Sequence, residues 1–273
     1  MPVPVTLKAP AFDVTQCEDE LRTSLTSQRA RLLIVNTPHC PTGHCMSMAE
    51  LELLAKLSQE HDVTVLCDES YEACVFPGAE HIRLCELDGM WERTLTLGGA
   101  SKLLSLSGWS VGWVWGSEEL VTAARTLLAH TSSSTPSPLQ DGVAAALEAQ
   151  VADGKSEGQA ALLQGNCERL GAALASIGVQ PCAAQSGYFL LADVSQTRMT
   201  DVQYVKWLAS EHLIAAAPLS LYYLSAERPS AYVRFAVCRE RATIDRAVTA
   251  LKGATLVGAR AAMAHRLAAA QLD

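Results

Sequence analysis

The sequence predicts an α/β fold: a mostly parallel sheet with helices on its faces, followed by a smaller α+β domain. Three observations carry that expectation. Apolar runs at residues 31–35 and 63–67 have the length and composition of strands buried on both faces of a sheet, and a short strand-like run at 94–97 supplies a third. Helical patterns separate them, and strand–helix alternation of this kind makes parallel pairs. After about residue 150 the alternation gives way to long helices and short separate strands. The chain is therefore expected to divide into domains at 1–150 and 151–273, with no internal repeat.

Residues 1–30 read as an extended, proline-containing lead-in and a helix near 18–27. The run Leu32-Leu33-Ile34-Val35 stops at Asn36-Thr37-Pro38 and the turn Cys40-Pro41-Thr42-Gly43. Ser47-Met48-Ala49-Glu50 is a capping box. It opens a helix to about Glu60, with Leu51, Leu54 and Leu57 along its apolar stripe. The second strand ends at Asp68-Glu69-Ser70-Tyr71, the third just before Lys102, and residues 111–115 supply a fourth. Ser117 caps a helix reaching about His130, and a Ser/Thr/Pro loop covers 131–138. A helical stretch from 139 to 177, broken near Asp153-Gly154, stops at Gly178. Then follow a strand at 188–192, a helix at 201–211, short strands near 213–216 and 232–237, and helices to the end.

Composition narrows the function. The 273 residues are 49% hydrophobic and 18% charged, with a net charge of −8, a globular, enzyme-like balance. That charge, with no Lys/Arg run, argues against a nucleic-acid partner. No apolar stretch reaches membrane-spanning length uninterrupted, since Arg260, His265 and Arg266 break the last one. Asp13, Glu18, Asp19 and Glu20 argue against a transit peptide, so a cytoplasmic location is expected, with a mitochondrial one left open. Nine cysteines without a C-x-x-C pair read as reduced thiols. His39, Cys40, His44 and Cys45 could bind zinc, but they lie within one short turn with no second ligand pair at zinc-finger distance. No metal is expected.

The chemistry centres on residues 98–116, where small residues lead into Lys102, followed by hydroxyl residues and two tryptophans, Trp109 and Trp113, expected in the core. Taken alone, a lysine at a loop mouth is more often solvated. Among small and apolar groups, however, burial lowers an amine's pKa and makes it a nucleophile toward carbonyl carbon. Ligands in parallel sheets sit beyond the carboxyl ends of the strands, where Asn36, Asp68, Tyr71 and Lys102 all fall. Such a set suits a pyridine aldehyde held by the lysine as an imine. Asp68 would stay ionised beside the ring nitrogen, and Tyr71 would meet the ring hydroxyl. Freed Lys102 would act as the base at the substrate's Cα. A substrate carboxylate calls for a planar arginine fork. Arg234, in the strand Tyr232-Val233-Arg234-Phe235-Ala236-Val237, has apolar neighbours on both sides, although a strand arginine is usually an edge charge.

These residues come in an order that resembles the class I/II aminotransferases of the fold-type I pyridoxal-phosphate enzymes. Within them it looks most like the kynurenine aminotransferases that also act as cysteine-S-conjugate β-lyases. The likeness rests on Asn36-Thr37-Pro38-His39 with Pro41 and Gly43, Cys67-Asp68-Glu69-Ser70-Tyr71-Glu72, and Glu80-His81-Ile82-Arg83-Leu84-Cys85. It continues through Gly89-Met90-Trp91-Glu92-Arg93-Thr94, Lys102 with Gly108-Trp109 and Gly112-Trp113, Gly187-Tyr188-Phe189, and Val233-Arg234-Phe235.

The resemblance implies the large domain of a pyridoxal-phosphate transferase, begun partway through its N-terminal side, and a smaller C-terminal domain. It implies pyridoxal 5'-phosphate as cofactor, an amino acid and a 2-oxo acid as substrates, and a homodimer. Lys102 is similar to the Schiff-base lysine, Asp68 to the pyridine-nitrogen partner and Tyr71 to the ring-hydroxyl partner. Asn36 and Arg234 match the substrate-binding positions, Arg234 as the α-carboxylate clamp. Cys40 stands where the family has an asparagine beside the ring hydroxyl, Gly99 where it has a hydroxyl residue, and Ser110 where it has a phosphate-binding cation. Two expectations follow. The chain transaminates an aromatic or sulfur-containing, kynurenine-like amino acid, with a β-lyase side activity. Alternatively it is a truncated, catalytically impaired relative acting as a non-enzymatic or regulatory partner.

Overall fold

The computed structural model describes residues 2–27, 30–132, 134–153, 156–224, 231–254 and 258. They form two compact units: Met1–Cys40 with His44–Ala161, and Pro41–Gly43 with Leu162–Asp273.

Apolar spacing sets the first unit. In α1 (Glu18–Ser27), Leu21 and Leu25 stand four apart and are buried together. β1 (Leu32–Asn36) leads to α2 (Met48–Glu60), where Leu51, Leu54 and Leu57 are almost fully removed from solvent. These leucines join Val35, Val65, Cys67, Leu84 and Met90 in one core cluster, and each contributes about 1.5–3 kcal/mol by burial. β2 (Thr64–Asp68) and β3 (Thr94–Gly99) follow, then the single helical turn α3 (Ala100–Leu103) and β4 (Gly112–Trp115). The sheet order is β1-β2-β3-β4, parallel across the first three strands and antiparallel at β4. α4 (Glu118–Thr131) and α5 (Ser137–Asp153) complete the unit. Val143 on α5 packs with Ala100 and Val111.

Three expectations need correction. β1 is not buried on both faces: Leu32 is 51% and Ile34 68% exposed, and these two share one face of the strand, which the described residues leave uncovered. Val35 alone of its apolar residues is fully buried. Trp109 is 37% exposed, although its ring lies so close over Gly142 that a Cβ there would stand 2.8 Å from it. Trp113 does pack against the Ala100–Val111–Val143 cluster. Ser117 occupies the N-cap of α4 but makes no capping hydrogen bond with its side chain.

The second unit contains α6 (Ser156–Ser176) from Leu162 onward, β5 (Gln180–Pro181), β6 (Phe189–Asp193), α7 (Asp201–His212), β7 (Ala217–Pro218), β8 (Tyr232–Ala236) and α8 (Arg241–Leu251). Its antiparallel sheet runs β5-β6-β8-β7. The strand expected at 213–216 lies at Ala217–Pro218, since Leu213 adopts left-handed geometry at the C-cap of α7. Gly178, at φ 84°, follows α6 as expected. The break expected near Asp153-Gly154 falls on residues 154–155, which lie outside the described residues, as do the helices expected after residue 258. Gly43 is demanded by close approach: at φ +73°, a Cβ would stand 2.5 Å from the Ser186 carbonyl oxygen.

One buried carboxylate ties the loop after β1 to α2. Glu50 completes the capping box with Ser47 and accepts the Val14 N–H at 3.1 Å and His44 Nε2 at 2.8 Å. Burial alone would raise its pKa. The His44 hydrogen bond, the two backbone N–H groups and the nearby His44 charge overcome this and hold it at about 2. His39, whose N–H donates to the His44 carbonyl, is pushed down to about 4 by burial and by His44. Both shifts mean that the unfolded chain binds more protons than the native one: between pH 6.5 and 4 for His39, and between 4.5 and 2 for Glu50. Stability is therefore expected to fall through both windows on acidification. In thermal unfolding followed against pH, His39→Asn should remove the slope between pH 6.5 and 4. Glu50→Ala should cost about 3 kcal/mol at pH 7.

Candidate active site

Parallel pairing aligns three strand ends. Asn36 is in register with Asp68, and Asp68 with Leu97. The Asp68 carbonyl accepts two hydrogen bonds, from the Asn36 Nδ2 at 2.9 Å and the Thr37 N–H at 3.1 Å. Asn36 Oδ1 accepts the Cys40 N–H at 2.8 Å, so Cys40 joins this cluster through its backbone. On the other side, the Glu69 N–H donates to the Leu97 carbonyl at 2.9 Å. The chain leaving β2 is thereby fixed to both neighbouring strands.

Asp68 Oδ1 accepts the Ser70 N–H and hydroxyl, a local turn that aspartate favours. Oδ2 accepts no hydrogen bond among the described residues, and the residue is half-buried. Tyr71 is buried, and its carbonyl accepts the Cys74 N–H at 2.8 Å. Lys102 lies on α3, which begins right after β3. Its Nζ stands 5.7 Å from the centroid of the Tyr71 ring, within the range of cation–π attraction. Gln159 Nε2 donates to the Lys102 carbonyl at 3.1 Å. Asn36, Cys40, Asp68, Tyr71 and Lys102 are thus gathered at the carboxyl edge of one sheet.

Arg234 belongs to the second unit. It sits on β8, an inner strand between β6 and β7, not at the edge. Its guanidinium carbon stacks 3.9 Å from the Phe189 ring centroid and 5.1 Å from that of Tyr222, which keeps the planar fork oriented. The His39–Cys45 turn is structural in its contacts. His44 binds Glu50, and among the described residues no group of three or more His, Cys, Asp or Glu side chains could hold a metal ion. None of the nine cysteines is in a disulfide.

The residues that the sequence did not single out for a role are Glu69, His81 and Arg83. Glu69 is fully buried, with His81 Nε2 3.1 Å and Arg83 Nε 3.3 Å from its Oε2. Arg83 also reaches Glu72 at 2.6 Å. The available signal was the alternation His81-Ile82-Arg83, which places an imidazole and a guanidinium on one side of an extended segment.

Residues 3–251 match the family of aminotransferases of class I and II. Kynurenine–oxoglutarate transaminase 1 of Mus musculus is 34% identical over 236 residues, covering 80% of this chain and 56% of its own length. Kynurenine–oxoglutarate transaminase 3 of Rattus norvegicus is 32% identical over 258 residues, covering 88% of this chain and 57% of its own. Among solved structures, N-succinyldiaminopimelate aminotransferase from Mycobacterium tuberculosis superposes with a TM-score of 0.80 at 34% identity, covering 86% of this chain and 60% of that one. The chain therefore spans 56–57% of the length of those two curated relatives. With the family matched across residues 3–251 and the fold shared with a solved member, this chain belongs to the class I and II aminotransferases.

Proposed function

We propose that the chain carries the lysine-bearing part of a pyridoxal-phosphate-dependent aminotransferase acting on an aromatic or sulfur-containing, kynurenine-like amino acid. The observation that carries the reading is the placement of Lys102 Nζ over the Tyr71 ring at the strand ends that also hold Asp68. The family is pyridoxal-phosphate-dependent. The donor set fits the pyridine half of that cofactor: a half-buried carboxylate with one oxygen uncommitted, a buried phenol and a primary amine. The phosphate half is served less well. Gly99 offers no hydroxyl, although a Cβ there would meet only ordinary contacts at 3.5 and 3.7 Å. Ser110 offers a hydroxyl without charge.

When bound, the cofactor supplies an electron sink for charge developing at the substrate's Cα. Asp68, as a carboxylate, would hold a proton on the ring nitrogen. Tyr71 would donate a hydrogen bond to the ring oxygen, with Cys40 in the position beside it. Lys102 would attach the cofactor in the resting protein and, once displaced by substrate amine, carry the Cα proton. Arg234 would clamp the substrate carboxylate through two parallel N–H donors, and Asn36 would add a further substrate contact. A 2-oxo acid would serve as amino acceptor, with β-elimination of cysteine conjugates as a side reaction and a homodimer as the working form.

Support for the substrate class comes from the names of relatives, kynurenine–oxoglutarate transaminases in several animals and in Dictyostelium discoideum. A structural neighbour from Escherichia coli is a methionine aminotransferase, with a TM-score of 0.84 at 26% identity. No helix among the described residues is long and apolar enough to cross a membrane, and a cytoplasmic location is part of the proposal. The second reading, a catalytically impaired relative with a regulatory role, is favoured by the missing hydroxyl at Gly99 and the missing cation at Ser110. Each charge-assisted phosphate contact is worth about 1.5–3 kcal/mol.

Titration with pyridoxal phosphate should produce a visible absorbance band that Lys102→Ala abolishes. No band in the unaltered protein, or an undiminished one in the variant, overturns the enzyme reading. The double change Gly99→Ser with Ser110→Lys should tighten the apparent Kd by about tenfold or more. In steady-state transamination, Arg234→Lys should raise KM for the amino acid by about tenfold or more, since a point charge cannot replace the fork, while the cofactor band is retained.

A further inference from the structure

Asp68 and Glu69 are consecutive, so their side chains leave the strand end in opposite directions. Asp68 is half-buried, whereas Glu69 is buried completely beside Cys67. A carboxylate taken so fully out of water persists only where other charges or donors meet it. Cys67 Sγ donates to Glu69 Oε1 at 3.6 Å, and His81 Nε2 and Arg83 Nε stand within ion-pair distance of Oε2 without a hydrogen bond to it. Arg83 does more than neutralise. Its Nε faces Glu69 while its Nη2 donates to Glu72 at 2.6 Å, so one guanidinium brackets the two acids flanking Ser70 and Tyr71. The backbone repeats the bracket, since the Glu72 N–H donates to the Glu69 carbonyl at 2.9 Å.

We propose that Glu69 is a positioning residue. With His81 and Arg83 it fixes the turn from which Asp68 and Tyr71 are presented. Its consequence for the cofactor rests on the function proposed above, but its effect on the turn does not. Asp68 precedes Glu69 directly and Tyr71 lies between the two bracketed acids. Any rotation of the segment would therefore move the carboxylate and the phenol together. The network is separate from ordinary surface pairing: the outer contact of Arg83 to Glu86 spans 3.7 Å to a largely exposed carboxylate, and such pairs contribute little.

The test has two arms, both comparing Glu69→Gln, Arg83→Leu, Arg83→Lys and, as control, Glu86→Gln with the unaltered chain. In the first, amide hydrogen exchange of the cofactor-free protein should show Glu69, Glu72 and Cys74 losing about tenfold or more protection in Glu69→Gln and Arg83→Leu. α2 and Glu86→Gln should stay unchanged, and Arg83→Lys should fall between. In the second, the apparent Kd for pyridoxal phosphate should weaken by about tenfold, and the pH midpoint of its visible band should move in the same two variants. If Glu69→Gln does not fold, Arg83→Leu decides, because Arg83 is partly exposed. Unchanged turn amides overturn the proposal, as does a lower melting temperature with unaltered exchange ratios and band midpoint. Lost turn protection with no band in any protein supports the positioning role and removes the cofactor reading instead.

Discussion

The Asp68 carbonyl is the constraint from which the rest of the site takes its position. It lies at the end of a strand paired on both sides, and it receives the Asn36 amide and the Thr37 N–H together. Each such bond contributes on the order of 1 kcal/mol net, but their joint effect is geometric. They lock the loop after β1 to the end of β2, and the Glu69 N–H bond to Leu97 locks the same turn to β3. Lys102 then needs only the last residues of β3 and one helical turn to reach the Tyr71 ring. A parallel sheet does this with little extra machinery, because its strands all end at one edge.

Charge is handled differently on the two sides of that turn. Towards the proposed cofactor, Asp68 keeps an oxygen uncommitted and Tyr71 shares its face with the lysine. Away from it, Glu69 is matched by His81 and Arg83 inside the unit. Glu50, one loop earlier, is a buried carboxylate that accepts several hydrogen bonds and stays ionised far into acid. In both places a buried acid organises backbone, and the two loops so organised are those after β1 and β2. The expense of burying charge is thus spent where loop geometry matters, while the hydrophobic stripe of α2 supplies the general stability.

Much of this was legible beforehand because its signals are local. The α2 stripe and capping box and the strand ends at Asn36 and Asp68 all follow from spacing and turn chemistry. β1 misled because a continuous apolar run looks the same whether or not a second layer covers each face. Leu32 and Ile34 share the face that the described residues leave exposed, a non-local fact. Leu213 misled because left-handed geometry at a helix end, which leaves it exposed, carries no signal in a leucine. The Glu69–His81–Arg83 network escaped because residues twelve and fourteen positions downstream return to one carboxylate. The alternation at His81 and Arg83 shows a shared side but not a shared partner.

The positions around α3 bear on how much of the family's chemistry this chain retains. Gly98 is forced by packing, since a Cβ there would stand 2.4 Å from the Trp113 Nε1 of the paired strand. Gly99, one residue on, is not forced: the space beside it accommodates a side chain at ordinary contact distance. Ser110 adopts left-handed geometry at φ 54°, which other non-glycine residues of this chain also tolerate, so no backbone constraint selects serine over a cation there. The missing hydroxyl at Gly99 and the missing cation at Ser110 are therefore not imposed by the local backbone. The amine, phenol and carboxylate, by contrast, are held by strands and buried charge.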